Sequence, residues 1–293
     1  MISLSILIPA KNEVQGLSLI VPKIRELYPD AEIIVVDDAS TDNTRCVATS
    51  FGAKVISHPY SKGNGAAIKS GLRVAKGDVL VCMDADGQHL PKDIQKLLDK
   101  LDAGFDMVVG SRSRKGQASI QRGIANRFYN WFASWMVGHK VEDLTSGFRA
   151  TRVKKFREFL TLLPNKFSYP TTITMSFFRA GYSVGYVSID VQQRLVGTQS
   201  HVRIWQDGIR FLLIIFKIGT LFSPLKLFFP ISLSFFATAV GYYVFTFLTT
   251  GRFTNMSALL FTTAVLIFLM GLISEQITSL IYKDTKNLET EDR

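Results

Sequence analysis

Between Ser3 and Arg112, short runs rich in Ile and Val alternate with stretches whose apolar residues recur at helical spacing. The runs are Ser3–Pro9, Glu32–Asp37, Ala53–Ser57, Val79–Asp84 and Met107–Gly110, and their near-continuous apolar character is that of parallel strands buried on both faces. The intervening segments Val14–Tyr28, Asp42–Phe51, Asn64–Ala75 and Pro91–Leu101 read as helices, with Asp42 and Pro91 as start signals and Gly77 and Gly104 as stops. This alternation predicts an α/β fold with a doubly wound sheet, in which ligands bind beyond the carboxyl ends of the strands. The first run is too short for a signal peptide and has no basic flank, so it is expected to open a domain that stays in the cytoplasm.

After Gly110 the pattern changes. Ile120–Val137 sets Phe128, Trp131, Phe132, Trp135 and Met136 beside Arg122 and Arg127, which suits equally an amphipathic helix in a membrane interface and a helix packed on the sheet. Arg203–Phe222 repeats the theme. Two uncharged stretches follow, Leu227–Thr250 and Phe253–Ser274, each longer than the roughly 20 residues that a helix needs to cross a bilayer. Lys217 and Lys226 precede the pair, Lys283 and Lys286 follow it, and only Arg252 lies between, so both ends are expected on the cytoplasmic side. The expected domains are therefore 1–200 as a cytoplasmic catalytic domain, 201–224 as interface helices, 225–282 as a transmembrane hairpin, and 283–293 as a disordered polar tail.

Composition sharpens this division. Phe accounts for 22 residues and is concentrated after Phe211, whereas the net charge of +10 sits mostly before it. A basic chain with an apolar tail and no recognisable nucleic-acid module points to anionic lipid, not nucleic acid, as its partner. The two cysteines, Cys46 and Cys82, have no metal-type or redox-type neighbours and read as reduced, packed thiols.

The candidate chemistry lies at strand ends. Met83-Asp84-Ala85-Asp86-Gly87-Gln88-His89 places two carboxylates one residue apart just past a strand, where they can converge on a divalent cation and a ribose. Val35-Val36-Asp37-Asp38-Ala39-Ser40-Thr41-Asp42 offers Asp38 as an acceptor for a base edge and Asp42 as a helix cap. Ile8-Pro9-Ala10-Lys11-Asn12-Glu13 follows the first strand, and all three sites share one edge of the sheet.

Together with Lys62-Gly63-Asn64-Gly65, these motifs resemble the family-2 glycosyltransferases of the GT-A fold. Gly110-Ser111-Arg112 and Asp143-Leu144-Thr145-Ser146-Gly147-Phe148-Arg149 narrow the resemblance to polyprenyl-phosphate sugar synthases, over residues 3–200. The resemblance implies a Rossmann-like nucleotide-sugar domain followed by interface helices and a two-helix membrane tail. It implies that Pro9, Lys11, Glu13, Val36 and Asp38 form the nucleoside pocket. Asp84 and Ala85 face the ribose and diphosphate, and Asp86 and Gln88 hold Mg²⁺ or Mn²⁺. Arg112 and Arg122 bind the lipid phosphate, and Arg194 the donor diphosphate, through bidentate contacts. The sequence departs from the pattern at Lys11, in Phe167–Thr174 and at His201, which leaves sugar identity open and favours a UDP-sugar over a GDP-sugar.

The implied reaction is a single inverting displacement. A phosphate monoester is largely dianionic at neutral pH and requires no general base, so His89 and His139 are not needed as bases. Two spans cannot enclose a lipid path alone, which makes a homo-oligomer an expectation. The alternatives are a processive polysaccharide synthase, disfavoured because Gln193-Arg194-Leu195 lacks the Trp of that group's signature, and a non-catalytic membrane scaffold, disfavoured by the intact Asp84, Asp86, Gln88 and Arg194.

Overall fold

The computed structural model describes residues 3–112, 120–165, 169–191, 216 and 219–291, with side chains from Arg127 in the helix that opens at Ile120 and up to Leu280 in the last one. The chain divides into two compact units, Met1–Val202 and Arg203–Arg293. The first is built on a seven-stranded sheet: β1 (Leu4–Ala10), β2 (Glu32–Asp37), β3 (Lys54–Ser57), β4 (Val79–Cys82), β5 (Met107–Arg112), β6 (Arg149–Arg152) and β7 (Val184–Ile189). Its order is β3-β2-β1-β4-β6-β5-β7. All strands run parallel except β6, which is antiparallel to both β4 and β5.

Both faces of the sheet are covered, which is why the strand sequences are apolar throughout. Ile6, Ile8, Ile33, Val35, Val79 and Val81 meet α1 (Val14–Leu27), α2 (Thr44–Ser50) and α4 (Ile94–Asp102) in one buried core. On the opposite face Leu7 meets α3 (Asn64–Val74) so closely that a Cβ on Gly71 would lie 2.1 Å from its Cδ1. The chain winds outward from β1 to β3 and then crosses back to β4 on the other side of β1. That reversal opens a crevice beyond the carboxyl ends of β1 and β4, where such sheets bind ligands.

The remaining helices of this unit are α5 (Ile120–Val137), α6 (Val153–Arg157) and α7 (Tyr169–Arg179). α5 has two unlike sides. Tyr129, Ala133 and Met136 are buried, whereas Phe128, Trp131 and Trp135 are 51%, 62% and 42% exposed, an aromatic stripe at helical spacing.

The second unit contains α8 (Pro224–Thr250) and α9 (Asn255–Glu291), packed side by side. Both are long and apolar enough to cross a membrane. Their apolar side chains point outward, as at Phe245 (63%), Leu248 (79%) and Ile273 (60%), unlike those of a helix in a protein core. Gly251 closes α8 with φ 65°, and its N–H bonds to Phe247 O at 2.9 Å. At the opposite end Glu275 accepts the Leu225 N–H at 3.2 Å, Thr278 donates to Thr220 O, and Ser232 donates to Ala264 O at 2.8 Å.

Several expectations need correction. β4 ends at Cys82, so Asp84 lies in the loop beyond it. α2 starts at Thr44, and Asp42 accepts the Thr44 N–H at 3.0 Å. Cys46 is exposed; only Cys82 is buried, and burial pushes its thiol up to about 12. The tail expected to be disordered continues α9 to Glu291, in keeping with its Lys, Leu and Glu residues and the lack of Gly or Pro.

The two helices of the hairpin approach closely at Gly271, where a Cβ would sit 2.7 Å from Phe228 Cβ. Gly271→Val is therefore expected to force α8 and α9 apart at a cost of about 1–3 kcal/mol. The melting temperature of the detergent-solubilised protein checks this, and a value unchanged from wild type would count against the packing.

Candidate active site

Three loops converge beyond the carboxyl ends of β1, β2 and β4. Pro9, Lys11 and Glu13 from the first, Asp38 from the second, and Asp84, Ala85 and Asp86 from the third line a cleft of about 270 Å³. Asn64 and Ala67 of α3 complete the lining. The N-terminus of α3 thus contributes its partial positive charge to a cleft otherwise edged by carboxylates.

The first two loops interlock. Asn12 and Ala39 adopt positive φ, 57° and 59°, a conformation that non-glycine residues need outside help to hold. The Asn12 N–H donates to Ser40 Oγ at 2.9 Å, and Asn12 Oδ1 accepts the Thr41 N–H at 2.8 Å. Ser40 N–H donates to Asp37 Oδ1, and Glu13 N–H to Thr44 Oγ1, each at 3.0 Å. This side of the cleft is therefore one wall, not two separate loops.

Asp38 organises that wall. Its Oδ1 accepts from His58 Nδ1 at 2.7 Å and Lys62 N–H at 2.8 Å, and its Oδ2 from the Ser61 hydroxyl at 2.8 Å and Gly63 N–H at 2.9 Å. Burial alone would raise its pKa, but these four donors, His58 foremost, hold it down to about 2. His58, itself buried, places Nε2 2.9 Å from Ser70 Oγ. Gly63, at φ 98°, turns the chain into α3, and Lys11 Nζ donates to Ser61 Oγ at 3.0 Å. All four acceptor positions of the carboxylate are occupied by this chain's own groups. The base-edge contact expected of Asp38 would require the Ser61 hydroxyl to swing aside.

The third loop is set by two glycines. A Cβ on Gly16 would lie 1.8 Å from Ala85 O, and a Cβ on Gly147 2.7 Å from Asp84 Oδ2. Burial pushes the Asp84 carboxyl above its usual range, with the Asp86 charge adding to the effect and His89, Arg149 and Arg112 opposing it. His89 stacks on Phe148 at 4.9 Å, and burial lowers its pKa against the pull of Asp84 and Asp86. Gln88 contributes its backbone N–H to Asp86 Oδ1 at 3.1 Å and is not part of the cleft lining.

Asp84 and Asp86 present hard oxygen donors on one wall of the cleft. Among the described residues no cluster of three or more acidic, His or Cys side chains forms a complete metal cage. The pair fits a divalent cation that fills its remaining positions with diphosphate oxygens and water, as Mg²⁺ commonly does.

The other expected site residues are distributed as follows. Val36 is fully buried in β2, paired with Pro9, and does not line the cleft. Arg112 is held in a fork by Asp143, Nε to Oδ2 at 2.8 Å and Nη2 to Oδ1 at 3.0 Å. That ion pair overrides burial and keeps the Asp143 carboxyl below its usual range. Arg122 lies on α5 with its side chain outside the described residues, and Arg194 and His201 lie outside them altogether. Sequence reasoning missed Gly16, His58, Ser61 and Asn64 as site-forming residues. His58 directly follows β3, the same strand-end signal that identified Asp38 and Asp84.

The chain belongs to glycosyltransferase family 2. The family's model, "Glycosyl transferase family 2", matches residues 5–179, and "GtrB C-terminal hairpin" matches residues 223–280. It is 32% identical to the polyprenol monophosphomannose synthase of Mycolicibacterium smegmatis, over 66% of this chain and 78% of that protein. It is 31% identical to the undecaprenyl-phosphate mannosyltransferase of Micrococcus luteus, over 65% and 84%. The Haloferax volcanii glycosyltransferase AglJ is 26% identical over 97% of this chain and 96% of its own length, hairpin region included. In fold the chain is similar to glucosyl-3-phosphoglycerate synthase from Mycobacterium tuberculosis, with a TM-score of 0.60 at 20% identity over 74% of this chain and 79% of that one. The fold is accordingly the mixed α/β sheet of the GT-A type, and the protein is a glycosyltransferase.

Because Asp38 is held near 2, its contribution to stability is fully present at neutral pH and is lost as the pH falls from about 4 toward 2, a change on the order of 2 kcal/mol. Asp38→Asn replaces one acceptor oxygen with a donor facing donors. Thermal melts at pH 7 and pH 3 are expected to show the variant less stable at pH 7, with the gap narrowing at pH 3; a constant gap would contradict this.

Proposed function

We propose that this glycosyltransferase moves a sugar from a nucleoside diphosphate to a polyprenyl phosphate at the cytoplasmic face of a membrane. The observation that carries the reading is the pairing of Asp84 and Asp86 at the sheet's crevice, in a chain whose second unit holds two helices long and apolar enough to cross a membrane. Support comes from the names of its relatives, which specify mannose transfer to polyprenol or undecaprenyl phosphate. The flanking lysines favour the cytoplasmic side for both hairpin ends. The exposed Phe128, Trp131 and Trp135 suit the headgroup region of a membrane, where aromatic side chains concentrate. A homo-oligomer remains part of the proposal, since two spans offer no enclosed path for the acceptor.

The donor is proposed to lie with its nucleoside against Pro9, Lys11 and Glu13 and its diphosphate toward Asp84, Asp86 and the start of α3. A UDP-sugar is favoured, because the mannose-synthase pattern is incomplete in Phe167–Thr174 and at His201. A bound Mg²⁺ or Mn²⁺ would offset charge on the departing diphosphate. The chain's own groups then have two tasks: Arg112, pre-oriented by Asp143, and Arg122 receive the acceptor phosphate, and Arg194 steadies the diphosphate. The acceptor dianion attacks without a general base, and one displacement inverts the anomeric centre, giving a β-linked product from an α-linked donor.

Transfer from a panel of radiolabelled UDP- and GDP-sugars to undecaprenyl phosphate in detergent with Mg²⁺ or Mn²⁺ tests the reading. One donor is expected to give a metal-dependent lipid product, and Asp86→Ala is expected to lower that rate by about 100-fold or more. No lipid product from any donor with folded protein would overturn the choice of acceptor.

A further inference from the structure

Arg149 is fully buried in the sheet, opposite Cys82 on β4 and Val109 on β5. Among the described residues no carboxylate forms a salt bridge with it. An unpaired buried charge is costly, so its use of donors is informative. Nη1 donates to Pro170 O and Thr174 Oγ1, each at 3.1 Å, and Nη2 donates to Ser146 O. The guanidinium lies over the Tyr169 ring at 5.7 Å, and the Tyr169 hydroxyl donates to Gly147 O at 3.3 Å. A stacked Arg–Tyr pair thus holds two successive carbonyls, those of Ser146 and Gly147.

The other side of the same turn is held by Asp143. Its Oδ1 accepts the N–H groups of Thr145 at 3.0 Å and Ser146 at 3.1 Å while the carboxylate grips Arg112. With N–H groups and carbonyls both engaged, the turn has little freedom. Gly147 lies against the Asp84 carboxylate, where a Cβ would stand 2.7 and 3.0 Å from its two oxygens. Where the turn sits therefore decides where those oxygens sit.

We propose that Arg149, acting with Tyr169 through the Ser146–Gly147 turn, is a positioning residue for Asp84 and so for binding of the donor nucleotide with its divalent cation. This rests on the glycosyltransferase reading above.

Isothermal titration of the full-length protein in detergent with Mn²⁺ plus UDP, and separately with Mn²⁺ plus GDP, tests it alongside kcat and KM for transfer. Arg149→Met is expected to weaken binding of the accepted nucleotide by about tenfold or more and to lower kcat, with acceptor KM within about twofold of wild type. Gly147→Ala leaves Arg149 in place but drives a methyl group at Asp84, and is expected to give the same split. Combined, the two should cost no more than the worse single variant, because they act on one contact. Tyr169→Phe, which removes one hydroxyl, is expected to show a smaller loss in the same direction and keeps the test open if Arg149→Met does not fold.

Removing a positive charge beside carboxylates would on its own tighten cation binding. Tighter Mn²⁺–nucleotide binding in Arg149→Met, or lowered melting temperatures with binding unchanged, would overturn the positioning role. A wild-type protein that binds neither nucleotide would overturn the donor reading itself, and the proposal with it.

Discussion

The structure turns on the contact between the bare Cα of Gly16 and the carbonyl of Ala85. A methyl group at Gly16 would be 1.8 Å from that oxygen and 3.0 Å from its carbon, a distance only backbone movement could relieve. The first turn of α1 is thereby seated directly on the loop that carries Asp84 and Asp86. Because α1 follows β1 and the loop follows β4, the contact closes the back of the crevice at the reversal of strand order. Pro9, Lys11 and Glu13 precede α1 and inherit their position from the same seat.

Within that frame, the acidic residues are of two kinds. Asp38 and Asp143 are saturated by donors of this chain and titrate below the usual carboxylate range. They fix loops: one the Ser61–Gly63 turn into α3, the other the Thr145–Ser146 turn together with Arg112. Asp84 and Asp86 line the cleft, and Asp84 is pushed up by burial. Sequence position alone does not distinguish the two kinds, since all four sit in loops near strand ends.

The parallel half of the sheet was legible because burial on both faces makes a strand apolar throughout, as in Ile6-Leu7-Ile8 and Ile33-Ile34-Val35-Val36. β6 was not: Arg149-Ala150-Thr151-Arg152 is short and polar, and Arg149 is buried through hydrogen bonds to neutral groups that no local pattern reveals. β7 is interrupted by Gly185 and Ser188. Strand-end reasoning located Pro9, Lys11, Glu13, Asp38, Asp84, Ala85 and Asp86 in one cleft. Val36, which the family resemblance added to the set, stands one step inside the strand end and belongs to the core, and no local pattern shows that Asp38 is spoken for, which depends on His58 and Ser61 arriving from another loop. The roles of Gly16 and Gly147 were hidden for a similar reason: a missing side chain signals only when the neighbouring backbone is known.

The most direct test of this account is the affinity of Gly16→Ala for Mn²⁺ with UDP or GDP, measured by isothermal titration, with far-ultraviolet circular dichroism confirming that the sheet domain is folded. The account predicts a folded protein that has lost most of its nucleotide–cation affinity, because the Ala85–Asp86 backbone has been pushed out of place. Wild-type affinity in that variant would show that the cleft does not depend on the seat of α1 against the third loop.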